Sequence, residues 1–275
     1  MKFSDEDDIY THEFQSWGEF IHHIENTERG EGSGRESDES GSSFSGTESL
    51  EEAIGLAKNG WPEGKDHILK GRKELFNGSE MFRKPRYFKS VAGSFPSVPS
   101  YIANQPRTMF RRVRAETCQP ILEIHVCPNG LGRVDKKSFI NYGGYLLNFI
   151  EEQENNGRRV EVHITYHNNV SGHGNVTTSM LKKSGEFIDL DFMSFAIAHP
   201  SSLRRIEFAM MERSPFEIVR KGTRGGYGST NHKRPKFMAD EAIWLGAVKS
   251  CYEDKEECVA QLDDIVYTEF KRIGL

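Results

Sequence analysis

Ile121-Leu122-Glu123-Ile124-His125-Val126-Cys127 and Arg159-Val160-Glu161-Val162-His163-Ile164-Thr165-Tyr166 are the two stretches that decide the fold. Each alternates apolar and polar residues with the two-residue period of a half-buried strand. Pro120 and Pro128 bound the first. Between them Phe139, Tyr142, Leu146, Phe149 and Ile150 recur at helical spacing over Phe139 to Gln153, and Gly157 supplies a stop. Strand, helix, strand in that order predicts a parallel pair joined by a crossover. The predicted class is α/β: a small parallel or mixed sheet with flanking helices.

Outward from this unit, Thr177 to Lys182 reads as a third strand and Asp189 to Ala198 as a helix. Leu203 to Met211 fits either period. Ala242 to Ile273 carries Ile243, Leu245, Val248, Val259, Leu262, Ile265, Val266 and Phe270, spaced for two helices. Upstream, Ser49 followed by Glu52 is a capping box. With Leu50, Ala53, Ile54 and Ala57, and then Ile68, Leu69 and Leu75, it predicts a helical hairpin over 49–78. Phe14, Trp17, Ile21 and Ile24 predict a short amphipathic helix. Residues 29–48 are mostly Gly, Ser, Glu and Asp with one Phe, a composition that cannot bury enough surface to order itself. The expected divisions are an acidic arm (1–28), a disordered linker (29–48), a hairpin with a basic connector (49–117) and an α/β core (118–275). Phe14 and Trp17 are then the expected anchors of the arm on its own body, a second copy or a partner.

The hydrophobic fraction of 36% in 275 residues is low, yet 18 Phe, 9 Tyr and 3 Trp are too many for a disordered chain. Apolar runs are too short for a membrane span of about 20 residues. The opening Met1-Lys2-Phe3-Ser4-Asp5-Glu6 lacks the pattern of a signal peptide. The four cysteines, Cys118, Cys127, Cys251 and Cys258, form no tight pair and read as buried thiols of a cytoplasmic protein. The net charge of −5 divides unevenly: residues 1–55 hold 15 acids against 3 bases. That leaves a basic body, the pattern of a polyanion-facing surface beside an acidic tail.

Ala57-Lys58-Asn59-Gly60-Trp61-Pro62-Glu63-Gly64 resembles the opening of an uncharacterised family of bacteriophage and mobile-element proteins. His199-Pro200-Ser201-Ser202-Leu203-Arg204-Arg205-Ile206-Glu207-Phe208 is similar to that family's later segment. The resemblance implies a phage protein working in the cytoplasm of a bacterial host and imports no established function. The strand–helix–strand order also looks like a Rossmannoid core of the von Willebrand A type. That fold's metal site needs Asp-x-Ser-x-Ser after the first strand, where this chain has Cys127-Pro128-Asn129-Gly130.

Motifs for dinucleotides, nucleoside triphosphates and zinc fingers are missing, so no cofactor is expected. Glu123 and His125 share one strand face, and Glu161 and His163 share another. Imidazole and carboxylate together suit zinc, manganese or iron, and a metal-dependent nuclease would use them. Pairing of Glu with His on the wetter face of a one-sided sheet explains the same pattern without a metal, and it is the expected state.

Two basic stretches carry the stronger functional signal. Arg83, Lys84, Arg86, Lys89, Arg107, Arg111, Arg112 and Arg114 occur without an acid between 83 and 114, interleaved with Tyr87, Phe88, Phe95, Tyr101 and Phe110. Arg220, Lys221, Arg224, Lys233, Arg234 and Lys236 follow in a glycine-rich run expected to be mobile. Basic side chains neutralise phosphates, and aromatics stack on unpaired bases. The expected function is therefore a non-enzymatic accessory protein that binds single-stranded nucleic acid or a nucleic-acid-processing machine. Its acidic arm would cover the basic surface. The alternatives are an assembly protein that oligomerises through the arm and a metal-dependent nuclease using Glu123, His125, Glu161 and His163.

Overall fold

The computed structural model describes residues 1–6, 8–75, 87–93, 95–112, 121–130 and 134–274. The chain opens with β1 (Lys2–Glu6), β2 (Ile9–Phe14) and α1 (Trp17–Asn26). Short turns α2 (Glu36–Glu39) and α3 (Ser42–Ser45) lead to the hairpin of α4 (Leu50–Asn59) and α5 (Pro62–Leu75). A small antiparallel sheet follows, from β3 (Tyr87–Ser90), β4 (Phe95–Pro96) and β5 (Met109–Arg112), with α6 (Val98–Ile102) between the last two. Then come β6 (Ile121–Val126), α7 (Lys136–Asn155), β7 (Arg159–Val170), β8 (His173–Lys182) and α8 (Leu190–Ala198). A π-helical turn (Ser202–Glu207) runs into α9 (Phe208–Glu212), then α10 (Glu217–Gly222), β9 (Ser229–Thr230), β10 (Ile243–Leu245) and α11 (Lys255–Ile273).

The architecture is α/β, with a mixed seven-stranded sheet in the order β1-β2-β8-β7-β6-β10 and β9 added to β7. The expected parallel pair is β6 and β7, with Glu123 opposite Glu161 and His125 opposite His163. The third expected strand is β8, which begins earlier, at His173, and runs antiparallel to β7. Leu203 to Met211 is helical. Ile243 and Leu245, expected in a helix, form β10, parallel to β6, because they continue the apolar face of Ile124 and Val126. Among the described residues no helix is long and apolar enough to cross a membrane.

Tyr166, Ile164, Ile124 and Val126 lie on the sheet face covered by helices, and all four are wholly buried. The capping box forms in part: Ser49 accepts from the Glu52 amide, while Glu52 accepts from the amide of Glu48 rather than that of Ser49. Helix α5 approaches α7 so closely that a Cβ at Gly144 would meet the Arg72 backbone nitrogen at 3.0 Å.

The two segments that carry the phage resemblance abut. Gly60 has φ +84°, and a Cβ there would lie 2.5 Å from that of Asp191. This close turn puts Trp61 edge-on against His199, with ring centroids 4.5 Å apart.

The acidic arm is corrected by the structure. Residues 2–6 and 9–14 are two strands of the main sheet, with β2 parallel to β8. Phe14 and Trp17 are buried in the protein's own core, and the Trp17 indole donates to the Ala57 carbonyl at 2.8 Å. They are not free anchors for a partner. β-Branched and aromatic residues in Ile9-Tyr10-Thr11-His12-Glu13-Phe14 favour a strand in spite of the surrounding charge.

Residues 29–48 are likewise a fitted strap, not a disordered linker. Arg205, fully buried in the π-helical turn, donates to the carbonyls of Ser37 (2.8 Å), Asp38 (3.1 Å), Ser40 (2.7 Å) and Thr47 (2.8 Å), and to the Thr47 hydroxyl (3.3 Å). Those bonds match the five donors of a guanidinium. Buried Glu212 accepts from the Ser37 amide (3.0 Å) and hydroxyl (2.5 Å) and from the Tyr227 hydroxyl. Arg204 donates to the Phe44 carbonyl, and Arg213 to that of Thr27. Composition predicts disorder because the strap has little apolar surface; its backbone polar groups supply the holding instead.

Arg205→Lys should destabilise the fold by about 2–3 kcal/mol in urea unfolding, because an ammonium cannot reach five acceptors in a planar fork. Arg205→Ala should cost about 3–5 kcal/mol and expose the 29–48 segment to proteolysis. An unchanged urea midpoint for both would dismiss the clamp.

Burial raises the Glu207 carboxyl to about 8; it accepts from Asn175 (3.2 Å) and Thr177 (3.1 Å) through one oxygen. The folded state thus holds this proton more tightly than the unfolded chain. The stability it confers is complete below about pH 4.5 and is lost as pH rises through about 8. Burial lowers His12 to about 3 and His199 to about 4, so their contribution runs the other way, present above about 6.5 and lost on acidification through those values. Urea midpoints between pH 5 and 9 should show that Glu207→Gln removes the alkaline loss alone. Parallel curves for variant and parent would contradict the assignment.

Candidate functional site

The alternation of β6 and β7 places Glu123, His125, Glu161 and His163 together on the sheet face away from α7, as the two-residue period predicts. Because the strands are parallel and in register, like faces like. The imidazoles of His125 and His163 stack with centroids 4.7 Å apart and planes 12° from parallel. Each histidine meets the glutamate two residues before it on its own strand. His125 Nε2 lies 2.6 Å from Glu123 Oε1, and His163 Nε2 lies 2.9 Å from Glu161 Oε1. Pairing within a strand is thus the state observed.

The four side chains differ in burial. His125 is 3% exposed, whereas Glu123 keeps 34%, Glu161 22% and His163 16%. The cluster is therefore closed at its base and open to solvent along its carboxylate side. Burial lowers the pKa of His125, so its neutral form is favoured. The hydrogen bond from His125 holds the Glu123 carboxyl below its ordinary range, despite partial burial.

Proton positions follow from these facts. An ionised carboxylate only accepts, so Nε2 of neutral His125 carries the proton. Its Nδ1, 2.8 Å from Thr165 Oγ1, must then accept from that hydroxyl, and Thr165 accepts in turn from Thr178 Oγ1 at 2.9 Å. Thr165 and Thr178 are opposed across β7 and β8. This relay has no signal in either strand taken alone. Arg234 and Phe237 come from the segment before β10; the Phe237 and His125 rings pack in a T shape with centroids 6.1 Å apart.

The basic stretches fare unequally. Arg83, Lys84, Arg86 and Arg114 lie outside the described residues. Arg111 and Arg112 are on β5, opposite Phe88 and Tyr87 of β3. Lys89 and Arg107 are exposed, as is Tyr101 at 73%. In the second stretch, the expected mobile loop is a folded segment. Thr223 and Tyr227 are buried, and the Tyr227 ring stacks on Phe208 at 3.9 Å. Arg220 lies under Gly30 of the strap and donates to the Ser214 carbonyl at 2.5 Å. Lys221 pairs with Glu217, and Arg234 donates to the Ala242 carbonyl at 2.6 Å and pairs with Glu269 at 3.4 Å. Arg224, Lys233 and Lys236 remain exposed.

The strap does cross this region, as expected of an acidic segment facing a basic one, but main-chain groups make the contact. The Gly34 amide donates to the Thr223 hydroxyl and the Glu36 amide to the Tyr227 hydroxyl. Its own Arg29 and Arg35 pair with Asp38 and Glu39 of the same segment.

Burial raises the Cys127 and Cys258 thiols to about 12, which makes them inert packing groups at neutral pH. Cys118 lies outside the described residues.

Thr165→Val should cost about 1–3 kcal/mol in urea unfolding, because it leaves His125 Nδ1 and the Thr178 hydroxyl unpartnered. It should also release the fixed tautomer of His125, read from imidazole nitrogen shifts. A Val variant as stable as its parent, with the same tautomer, would rule the relay out.

No curated protein and no solved structure matches the chain. A family model does, over residues 3–275, which is nearly the whole chain and takes in the N-terminal strands, the strap and the core alike. The chain belongs to the family described as a domain of unknown function, DUF7192.

Proposed function

We propose that the protein is an accessory binding protein that contacts single-stranded nucleic acid through the small sheet formed by β3, β4 and β5. The observation that carries this reading is the acid-free run from 83 to 114, with eight bases interleaved with aromatics. Within it Lys89, Arg107 and Tyr101 are exposed. Clustered cations without a compensating acid favour a polyanion, and an exposed tyrosine supplies a stacking platform. A phage or mobile-element origin, implied by the two resembling segments, fits a partner of this kind.

Residues 220–236 contribute less to this surface, since Arg220 and Arg234 are engaged within the fold. The N-terminal strands and the strap are part of the fold, so this reading does not call on an arm that covers the basic surface. The burial of Phe14 and Trp17 also removes the support for assembly through an N-terminal arm.

Anisotropy of a labelled single-stranded oligonucleotide, measured between 50 and 300 mM salt, tests the reading. Affinity should fall steeply with salt. Replacing Lys89 and Arg107 together by alanine should reduce the log–log slope by about 0.7 for each phosphate no longer neutralised. Absence of binding at the lowest salt, or a slope unmoved by both changes, would reject nucleic acid as the ligand. An acidic protein surface would then be the polyanion to test.

A further inference from the structure

We propose that Glu123, His125 and His163 form a binding site for one divalent transition-metal ion of the zinc class, with Glu161 holding the ring of His163. One ligand atom from each of the three side chains lies within 4.8 Å of the other two. The donors are two imidazole nitrogens and one carboxylate oxygen. That set favours zinc, cobalt or iron over magnesium, which prefers oxygen and water. This inference is independent of the nucleic-acid surface, which involves none of these residues.

The distances define what an ion would change. Zinc binds imidazole nitrogen and carboxylate oxygen at about 2.0–2.2 Å, so two donors of a tetrahedral ion lie about 3.4 Å apart. The Glu123–His125 contact of 2.6 Å is therefore a protonated, contracted form of the site. Opening it to the tetrahedral spacing needs a rotation of Glu123, whose side chain is 34% exposed. The backbone stays fixed, because both histidines stand at paired positions of adjacent strands.

The proton has somewhere to go. When a metal takes Nε2 of His125, the proton on that atom is replaced by one on Nδ1, and the ring remains neutral. Nδ1–H then donates to Thr165 Oγ1, and Thr165 turns its own hydroxyl toward Thr178 Oγ1. Both contacts are already at hydrogen-bond length, 2.8 and 2.9 Å, and hydroxyls rotate to donate or accept. The relay thus supports the ring in either state. Metal-ligating histidines ordinarily have their second nitrogen held in this way. Glu161 serves His163 similarly from the same strand, 2.9 Å from its Nε2.

The full-length protein, stripped with a chelator and dialysed, should take up one equivalent of Zn²⁺ or Co²⁺ in a calorimetric titration. Nitrogen NMR of the imidazoles should show His125 passing from the Nε2–H to the Nδ1–H tautomer as zinc is added. His163→Gln should weaken binding at least tenfold while leaving the circular dichroism spectrum unchanged. Should that variant fail to fold, the partly exposed Glu123→Gln carries the same expectation. Millimolar Mg²⁺ should not compete. Absence of a saturable equivalent, an unmoved His125 tautomer, undiminished affinity in a folded variant, or competition by Mg²⁺ would each overturn the proposed site.

Discussion

The buried guanidinium of Arg205 is the contact on which the N-terminal part of the molecule depends. A charged group without water is costly unless its donors are met, and here they are met by four backbone carbonyls and a hydroxyl of one segment. Glu212, one helix further, takes the amide and hydroxyl of Ser37. The pair grips a polar strap from both sides of its hydrogen-bonding capacity. The strap in turn joins α1 to α4, so the sheet strands before it and the helical hairpin after it share one anchorage.

This arrangement explains the segment His199 to Phe208 as a structural device. Its two arginines look like a basic patch in the sequence, yet Arg205 is turned inward. Arg204 covers the Phe44 ring at 4.2 Å and donates to the Phe44 carbonyl. Trp61 of the other resembling segment closes against His199. Both segments describe a packing contact between distant parts of the chain, and neither by itself indicates a ligand.

Local periodicity makes the central unit readable: β6 and β7 each have one apolar face, α7 repeats its large apolar residues at helical spacing, and each can be recognised within its own residues. The Glu-x-His pairs are legible for the same reason, because period two and parallel register fix what lies beside what. The N-terminal strands are obscured by charge, although Ile9 to Phe14 has the residue types of a strand. Strand β10 is only three residues long and takes its identity from pairing with β6, which lies far away in the sequence. The strap defeats a reading by composition, because low apolar content signals disorder only when no buried group is available to receive the backbone. The Thr165–Thr178 relay and the engagement of Arg220 and Arg234 likewise depend on tertiary pairing that no local pattern encodes.

A segment held through its main-chain oxygens is recognised by its path. Nearly any residue type can present the carbonyl that Ser37, Asp38, Ser40 or Thr47 presents to Arg205, so side chains between them are free to diverge. The spacing of those four oxygens is not. Adding or removing one residue between Ser40 and Thr47 would displace acceptors around a rigid planar ion, a larger disturbance than replacing a solvent-facing side chain there. The most featureless part of the sequence is therefore a measured length, a ruler that sets how far the first two strands stand from the helical hairpin.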